Sequence, residues 1–381
     1  MNRYARLALR MALVAVCALA LSNLTEPFAS RYASMLLQLA RYGSPSPHLL
    51  SEDGVPSVRY TRLQDRYYHN PVYVGIYGLY YYDRWLESGR DDYFLKVYVR
   101  FSLYPPSGAP GDEIWRERFL ATADWFVENL VVRRSHEGRV YGVYEYPFAW
   151  EFYNLSPPWQ SGMAQGLALQ VLLRAWQTTG EERYLTTAER VKQAFFVPTH
   201  EGGVTYKDTP DAWWYEEYAS PGAKPSRVLN GMEHALVALH EYAAERGDAE
   251  ARLLFERGLA ALERTLANYS APQIPWTYYD AIGTVANYKY HQINVNLTRY
   301  LYTLTGDEPL RIYTTWASWR TPFVVREFVR QRPNYLDLTI LFLNFLFCGA
   351  LLVVGRTLAR FVSRPRNDPG SDPGGKGSDI C

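Results

Sequence analysis

Apolar positions recur at helical spacing along most of the chain between residues 70 and 320, and four segments interrupt that spacing in the same way. They are RWLESGRDDYF (84–94), RAWQTTGEERYL (174–185), YAAERGDAEARLLF (242–255) and YLYTLTGDEPLRIY (300–313). Each closes an apolar-periodic run at a glycine (Gly89, Gly180, Gly247 or Gly306), places acidic residues within three positions and then resumes the spacing. Glycine suits the left-handed position after a helix, and carboxylates suit the N-terminus of the next one. The pattern predicts a helical hairpin used four times, with helices over 72–89, 113–132, 161–179, 181–197, 228–246, 248–268, 291–305 and 307–320. In the first repeat, YFLKVYVRFSLYPPSGAPG (93–111) delays the partner helix and reads as an insertion. Eight helices in four hairpins predict a mainly α fold, an α/α toroid in which inner and outer helices alternate.

The links between hairpins have a different texture. Residues 133–158, 201–222 and 271–290 combine alternation with Gly, Pro and Tyr, so they read as short β-hairpins and loops gathered at one mouth of the toroid. Loops on a rigid scaffold are where chemistry is commonly carried.

Both ends speak to a membrane. Arg3, Arg6 and Arg10 precede an apolar stretch from Met11 to Leu21, a signal anchor or a cleaved signal peptide. LTILFLNFLFCGALLVVG (338–355) is eighteen residues without a charge, long enough to span, and Arg356, Arg360, Arg364 and Arg366 follow it. The positive-inside rule puts both basic flanks in the cytoplasm and the body on the extracytoplasmic side, periplasm or secretory lumen. The expected organisation is an anchor or signal peptide over 1–24, a short N-terminal extension over 25–68, the toroid over 69–335, a transmembrane helix over 336–356 and a disordered cytoplasmic tail over 357–381.

Composition narrows the chemistry. Forty basic and thirty-nine acidic residues nearly cancel, so no strong basic field for nucleic acid exists, although a local cationic groove remains compatible with the balance. No cysteine lies between residues 25 and 335, which removes internal disulfides and cysteine-based zinc or nucleophile sites from the body. His234 and His240 are six apart, not the i, i+4 pair of a helical zinc motif, and neither a serine elbow nor a phosphate loop is present. No metal or cofactor is expected. What remains are carboxylates and phenols: Glu216, Glu217 and Tyr218 in the second link, and Tyr278, Tyr279, Tyr288 and Tyr290 with His291 in the third. Each of these also has a plain reading as a hydrogen-bonded loop aromatic. The chain's 32 tyrosines and 11 tryptophans fit either helix packing or a sugar cleft. Trp159, Trp213 and Trp214 are the candidates for stacking on sugar. Trp115, Trp125, Trp176, Trp316 and Trp319 fall at helical spacing and read as core.

Five short motifs add a resemblance. WQSGMAQG (159–166), YEEY (215–218), VLNG (228–231), YYD (278–280) and Y-x-x-x-x-I-N (288–294) occur in the order found in the C-terminal catalytic domain of the D-glucuronyl C5-epimerases, and HNPVYVGIYGLYYYDRWLESG (69–89) resembles that family's opening helix. The likeness covers about residues 69 to 320 and implies an α/α barrel acting on uronosyl residues of a polysaccharide. It implies catalytic roles for Tyr218, with Glu217 preceding it, Tyr279 and Tyr288, and substrate contacts at Asn230 and in the segment of His291; Tyr290 and Lys289 are further binding candidates, and Trp159 and Trp214 candidates for stacking on sugar. The third tyrosine has two registers. Tyr288 matches if the alignment runs ungapped into Ile293 and Asn294, whereas a shift of two brings Tyr290 and His291 into place. Lys289 stands where the family has histidine, and Ile282 where it has arginine, so a substrate carboxylate or sulfate would be held differently, by Lys289, Lys224 or Arg227. The family's large N-terminal β-domain is mostly missing.

These residue types suit C5 inversion. The reaction removes a proton beside a carboxylate and returns one to the opposite face, so it needs an acid/base group on each face and positive charge for the intermediate. Glu217 is the expected base, its pKa raised by Glu216, with Tyr288 or Tyr279 as donor and Tyr218 and Asn230 positioning the ring. The expected activity is a cofactor-independent D-glucuronate to L-iduronate epimerase on a polysaccharide, with a homodimer and polysaccharide-synthesis enzymes as partners. A polysaccharide lyase through the same carbanion and a non-catalytic uronan-binding protein are the alternatives.

Overall fold

The computed structural model describes residues 3–60, 66–87, 93–272, 274–316 and 335–362. The chain falls into two compact units: Met1–Thr25 with Tyr335–Cys381, and Glu26–Asn334. Helix α1 (Arg3–Tyr42) continues past the expected boundary at residue 24. The extension is therefore the rest of α1 and a three-stranded antiparallel sheet, β1 (His48–Leu50), β2 (Pro56–Arg59) and β3 (Tyr67–Tyr68), with His48 opposite Val58 and Val58 opposite Tyr68.

Helix α2 (Pro71–Leu86) begins where the sequence supplies both signals for a start. The Asn70 side chain accepts from the Val72 amide, and Pro71 occupies the first turn, where no amide is needed. Gly75 and Gly78 let α2 approach its neighbours, since a Cβ at either would come within 2.6 Å of Leu167 Cβ or 2.5 Å of Thr122 Oγ1. The segment read as an insertion contains a further helix, α3 (Tyr93–Phe101). Its β-branched, short pattern gives little helical signal. Instead α1 supports it from outside, with Arg31 donating to the carbonyls of Val99, Arg100 and Leu103 at 3.2, 2.6 and 3.1 Å and so satisfying its C-terminus.

The remaining helices follow the predicted pairs: α4 (Glu113–Glu128), α5 (Gly162–Thr179), α6 (Glu182–Gln193), α7 (Leu229–Arg246), α8 (Ala249–Thr265) and α9 (Tyr288–Thr305). Gly180, Gly247 and Gly306 take φ of 74°, 61° and 75° at the helix ends, as the repeat requires. The first repeat's Gly89, Trp319 and the tail beyond residue 362 lie outside the described residues. The last partner is a 3₁₀ helix, Glu308–Thr315, instead of an α-helix over 307–320. Helix α9 starts three residues earlier than expected, because Asn287 caps it by accepting from the Tyr290 amide. Helices α2, α5, α7 and α9 pack in succession; α4 lies on α2 and α5, α6 on α5, α8 on α7, and the 3₁₀ helix on α9. Helix α3 touches both α9 and α2. Two of the three links form hairpins: β4 (Val131–Arg134) with β5 (Val140–Val143), and β6 (Thr205–Thr209) with β7 (Ala212–Tyr215). The third makes only the isolated bridges Ser270–Thr277 and Tyr278–Val285 among its described residues.

In the other unit, α10 (Tyr335–Val362) joins the start of α1. The stretches Arg3–Phe28 and Asp337–Ala359 are each long and apolar enough to cross a membrane. Asn344 Nδ2 donates to Ser22 Oγ at 2.9 Å and to Thr25 Oγ1 at 3.2 Å. Thr25 spends its own proton on the Leu21 carbonyl, 2.9 Å away, which leaves its oxygen free to accept from Asn344.

Candidate active site

The hairpin β6–β7 delivers the Y-E-E-Y segment, and the entrance of α5 holds it. Gln160 and Ala219 exchange backbone hydrogen bonds of 2.8 and 2.9 Å, and the Gly162 amide donates to Glu216 O at 2.6 Å. A Cβ on Gly162 would lie 2.9 Å from that same oxygen, so the motif W-Q-S-G is a backbone clamp on Y-E-E-Y. Just past the end of β7, where the chain bends at Glu217 and Tyr218, the two glutamates point opposite ways. Glu216 turns into the protein, where its Oε2 accepts from Arg227 N at 3.0 Å and from Ser226 Oγ at 3.3 Å. Glu217 turns into a cavity of about 120 Å³.

Helix entrances build much of the wall. Asn70 and Tyr73 come from the start of α2, Asn230 from the start of α7, and Lys289 and Tyr290 from the first turn of α9. Tyr218 and Trp159 also line it. Trp159 lies flat on Tyr146, centroids 3.8 Å apart at 7°, with its Nε1 donating to Phe148 O at 2.7 Å. Tyr218 is parallel to Trp150 at 6.2 Å. Tyr279 stands behind, its hydroxyl 3.4 Å from that of Tyr218 and its ring 4.6 Å from the ring of Tyr290.

Burial sets the electrostatics. It raises the Glu217 carboxyl to about 7; hydrogen bonding from Tyr218 and Tyr279 and the charge of Lys289 hold it back, and Glu216 adds only the smallest push upward. Glu216 thus raises it as expected, but far less than burial does, since the two carboxylates face apart. Burial likewise lowers the Lys289 ammonium, against the opposing pull of Tyr73 and Glu217, and raises the phenols of Tyr218, Tyr279 and Tyr290. Lys289 Nζ donates to Ser102 Oγ at 3.2 Å and lies 4.1 Å from the Tyr290 ring centroid. Two buried oxygens that face this chemistry, Glu217 Oε2 and Asn230 Oδ1, have no hydrogen-bond partner.

Of the residues expected from sequence, Glu217, Tyr218, Asn230, Lys289, Tyr290 and Trp159 line the cavity, and Tyr279 adjoins it. Three others lie elsewhere. Tyr288 faces Phe101 and Trp276, with centroids 5.9 and 6.4 Å away, which favours the register in which Tyr290 is the third tyrosine. His291 is buried flat on Trp276 at 3.7 Å, and its Nδ1 is 2.9 Å from Thr277 Oγ1. Trp214 is fully buried and parallel to Tyr269 at 6.0 Å, because all four positions of β7 are buried. Trp213 is also a packing residue, with Lys207 and Arg257 over its ring. Of the cations suggested for a substrate anion, Arg227 pairs with Asp208 and Lys224 is exposed; Lys289 lines the cavity.

Sequence reasoning missed Tyr60, Tyr73, Tyr98 and Tyr146. Tyr146 OH donates to Asn70 Oδ1 at 3.1 Å, and Asn70 Nδ2 donates to Tyr60 OH, so one side-chain amide caps α2 and ties two wall phenols together. The H-N-P sequence before α2 was the available signal. Among the described residues, no three His, Cys, Asp or Glu side chains gather as metal ligands.

Residues 137–319 match the family model of the D-glucuronyl C5-epimerase C-terminus. An uncharacterized protein of Methanocaldococcus jannaschii is 33% identical over 212 residues, 52% of this chain and 67% of that protein. A D-glucuronyl C5-epimerase of Caenorhabditis elegans is 32% identical over 211 residues, 50% of this chain and 33% of the worm protein, so the match spans a third of that protein's length. Among solved structures, a mutant of unsaturated glucuronyl hydrolase from Streptococcus agalactiae is 13% identical, with 83% of this chain and 78% of that one covered at a TM-score of 0.33, too weak a likeness to bear on fold or activity.

Proposed function

The chain belongs to the family of the D-glucuronyl C5-epimerase C-terminus, and from that membership we propose that it inverts C5 of D-glucuronyl residues in a polysaccharide, giving the L-iduronyl form without a cofactor. The observation that carries the reading is the meeting, in one cavity, of a carboxyl tuned to about 7 with a lysine and several protonated phenols. The packing of α2, α5, α7 and α9 inside α4, α6, α8 and the 3₁₀ helix supports an α/α toroid as the scaffold. The two apolar helices support anchoring in a membrane with the body outside the cytoplasm.

In the proposed reaction the sugar carboxylate pairs with Lys289, and Asn230 Oδ1 accepts from a ring hydroxyl. Ionised Glu217 removes the C5 proton. The C5–H electron pair moves into the carboxylate, whose growing charge Lys289 and the phenols neutralise. The Tyr290 hydroxyl returns a proton to C5 from the opposite face. Its phenolate regains a proton through Tyr279 from protonated Glu217, so the enzyme ends as it began. Phenols whose pKa values burial has raised are suited to this, since they rest protonated and hand over a proton only to a strong base such as the carbanion.

Incubation of the protein with a glucuronan in heavy water tests this. Deuterium at C5, new iduronyl signals and unchanged chain length are expected. An unsaturated chain end would replace the epimerase with a lyase, and no deuterium with any uronan would leave a binding protein.

A further inference from the structure

Ser102 is a buried hydroxyl between Phe101 and Leu103, just past the end of α3. A buried hydroxyl calls for partners, and here they belong to the cavity. Lys289 Nζ donates to Ser102 Oγ at 3.2 Å, and the Tyr73 phenol interacts with the same hydroxyl. Lys289 and Tyr73 line the cavity, while Ser102 lies behind its wall. Lysine carries its charge at the end of a flexible four-carbon stem, so an ammonium that must meet a carboxylate in one geometry needs a fixed point. Serine suits that task. Its oxygen accepts from the ammonium without cancelling the charge, whereas a carboxylate in its place would compete with the substrate.

The place of Ser102 depends on how α3 ends. The amides of Ser102 and Leu103 both donate to the Tyr98 carbonyl, at 2.7 and 2.8 Å. The Arg31 guanidinium meets the carbonyls of Val99, Arg100 and Leu103, so it grips the chain on both sides of Ser102. It also lies 4.8 Å from the Tyr104 ring centroid. Strand β1 braces the same turn: His48 Nδ1 is 2.9 Å from the Tyr77 hydroxyl, to which the Tyr104 amide donates at 3.0 Å. The His48 ring meets that of Tyr73 at 4.6 Å. We propose that Ser102 is the positioning residue for Lys289 and that Arg31 acts through it, which makes the N-terminal extension a working part of the active site. This rests on the epimerase reading, in which Lys289 pairs with the sugar carboxylate. The ammonium is faced by His48 of β1, Tyr73 of α2, Tyr98 of α3, Tyr290 of its own helix and Glu217. Ser102 adds an acceptor that favours the charged form, so its removal leaves burial to lower the amine further.

The test is a double-variant cycle on the full chain in detergent, with lysine labelled by heavy nitrogen at Nζ. Wild type, Ser102→Ala, Arg31→Gln and the combined variant are compared, and Lys289→Met identifies the Lys289 resonance. Two quantities are read: kcat/KM for C5 deuterium exchange into a glucuronan, and the pH midpoint of the Lys289 amine. Ser102→Ala is expected to lower kcat/KM about tenfold and to move the midpoint to lower pH. Arg31→Gln is expected to cost about threefold, and the combined variant about tenfold, because Arg31 then has nothing left to act through. Losses that multiply to about thirtyfold overturn the route from Arg31 through Ser102. A Lys289 midpoint unchanged in Ser102→Ala overturns the positioning itself, since a serine that only filled space would leave the amine's titration alone. Should Arg31→Gln unfold the protein, Arg31→Lys, which cannot reach three carbonyls at once, carries the same cycle. Absence of exchange in the wild type counts against the epimerase reading, while the amine titration still decides the role of Ser102.

Discussion

Glu217 lies against the bare backbone of Gly231: a Cβ at that position would be 2.6 Å from both the Cβ and the Oε2 of the glutamate. The glycine in V-L-N-G is thus the floor on which the proposed base rests. Gly231→Ala would gain about 1 kcal/mol of helix propensity within α7 while pushing Glu217 out of place. Because the clash includes the Glu217 Cβ, we expect a cooperative but somewhat lower melting transition, with C5 exchange slowed by about 100-fold in the folded protein. Wild-type exchange in this variant would show that the carboxyl needs no such seat.

The two tyrosines in the first turn of α9 separate cleanly by direction. Tyr290→Phe is expected to slow C5 deuterium exchange by about 10²- to 10⁴-fold, the usual worth of a placed acid. Tyr288→Phe should cost far less, since its ring faces Phe101 and Trp276. Equal losses at the two positions would place the donor phenol elsewhere.

A base held at about 7 must be ionised to act. The exchange rate at low substrate is therefore expected to rise with pH along an acid limb centred near 7, and Glu217→Gln should abolish it. A wild-type rate that is flat from about pH 5 to about pH 8 excludes Glu217 as the base.

Glu216 makes a prediction about stability instead of rate. Burial raises its carboxyl to about 7 in the folded protein, above its ordinary value of 4.5. As pH climbs, the unfolded chain releases this proton first, so the folded form binds more protons and loses stability up to about pH 7. At about 1.4 kcal/mol per unit the loss is on the order of 3 kcal/mol. Glu216→Gln keeps an oxygen for the Arg227 amide and Ser226 hydroxyl and should lose correspondingly less between about pH 5 and about pH 8 in chemical denaturation. Parallel stability curves for the two proteins would refute the assignment.

Much of this was legible in the residue order because the signals were local. Gly180, Gly247 and Gly306 close helices where the repeat puts them, and the glutamates between aromatics mark the segment that enters the cavity. The register of the third tyrosine depended on where α9 begins. Tyr-Lys-Tyr-His in a tyrosine-rich link reads as loop until Asn287 is seen to cap a helix at Tyr288; turning then carries Lys289 and Tyr290 inward and Tyr288 away. Trp214 was misread because its neighbours suggested a mouth loop, whereas β7 is covered on both faces. Tyr73, Tyr98 and Tyr146 come from three distant segments, and only packing brings them to one cavity. Helix α3 was missed for the same kind of reason, since the Arg31 that completes it lies 68 and 69 residues before the carbonyls it meets.

The amide of Asn344 spends both its protons on Ser22 and Thr25. Within lipid such a group has no water to fall back on. Removal of the first helix would take both acceptors from this amide, so the polar side-chain contact of the second helix depends on the first.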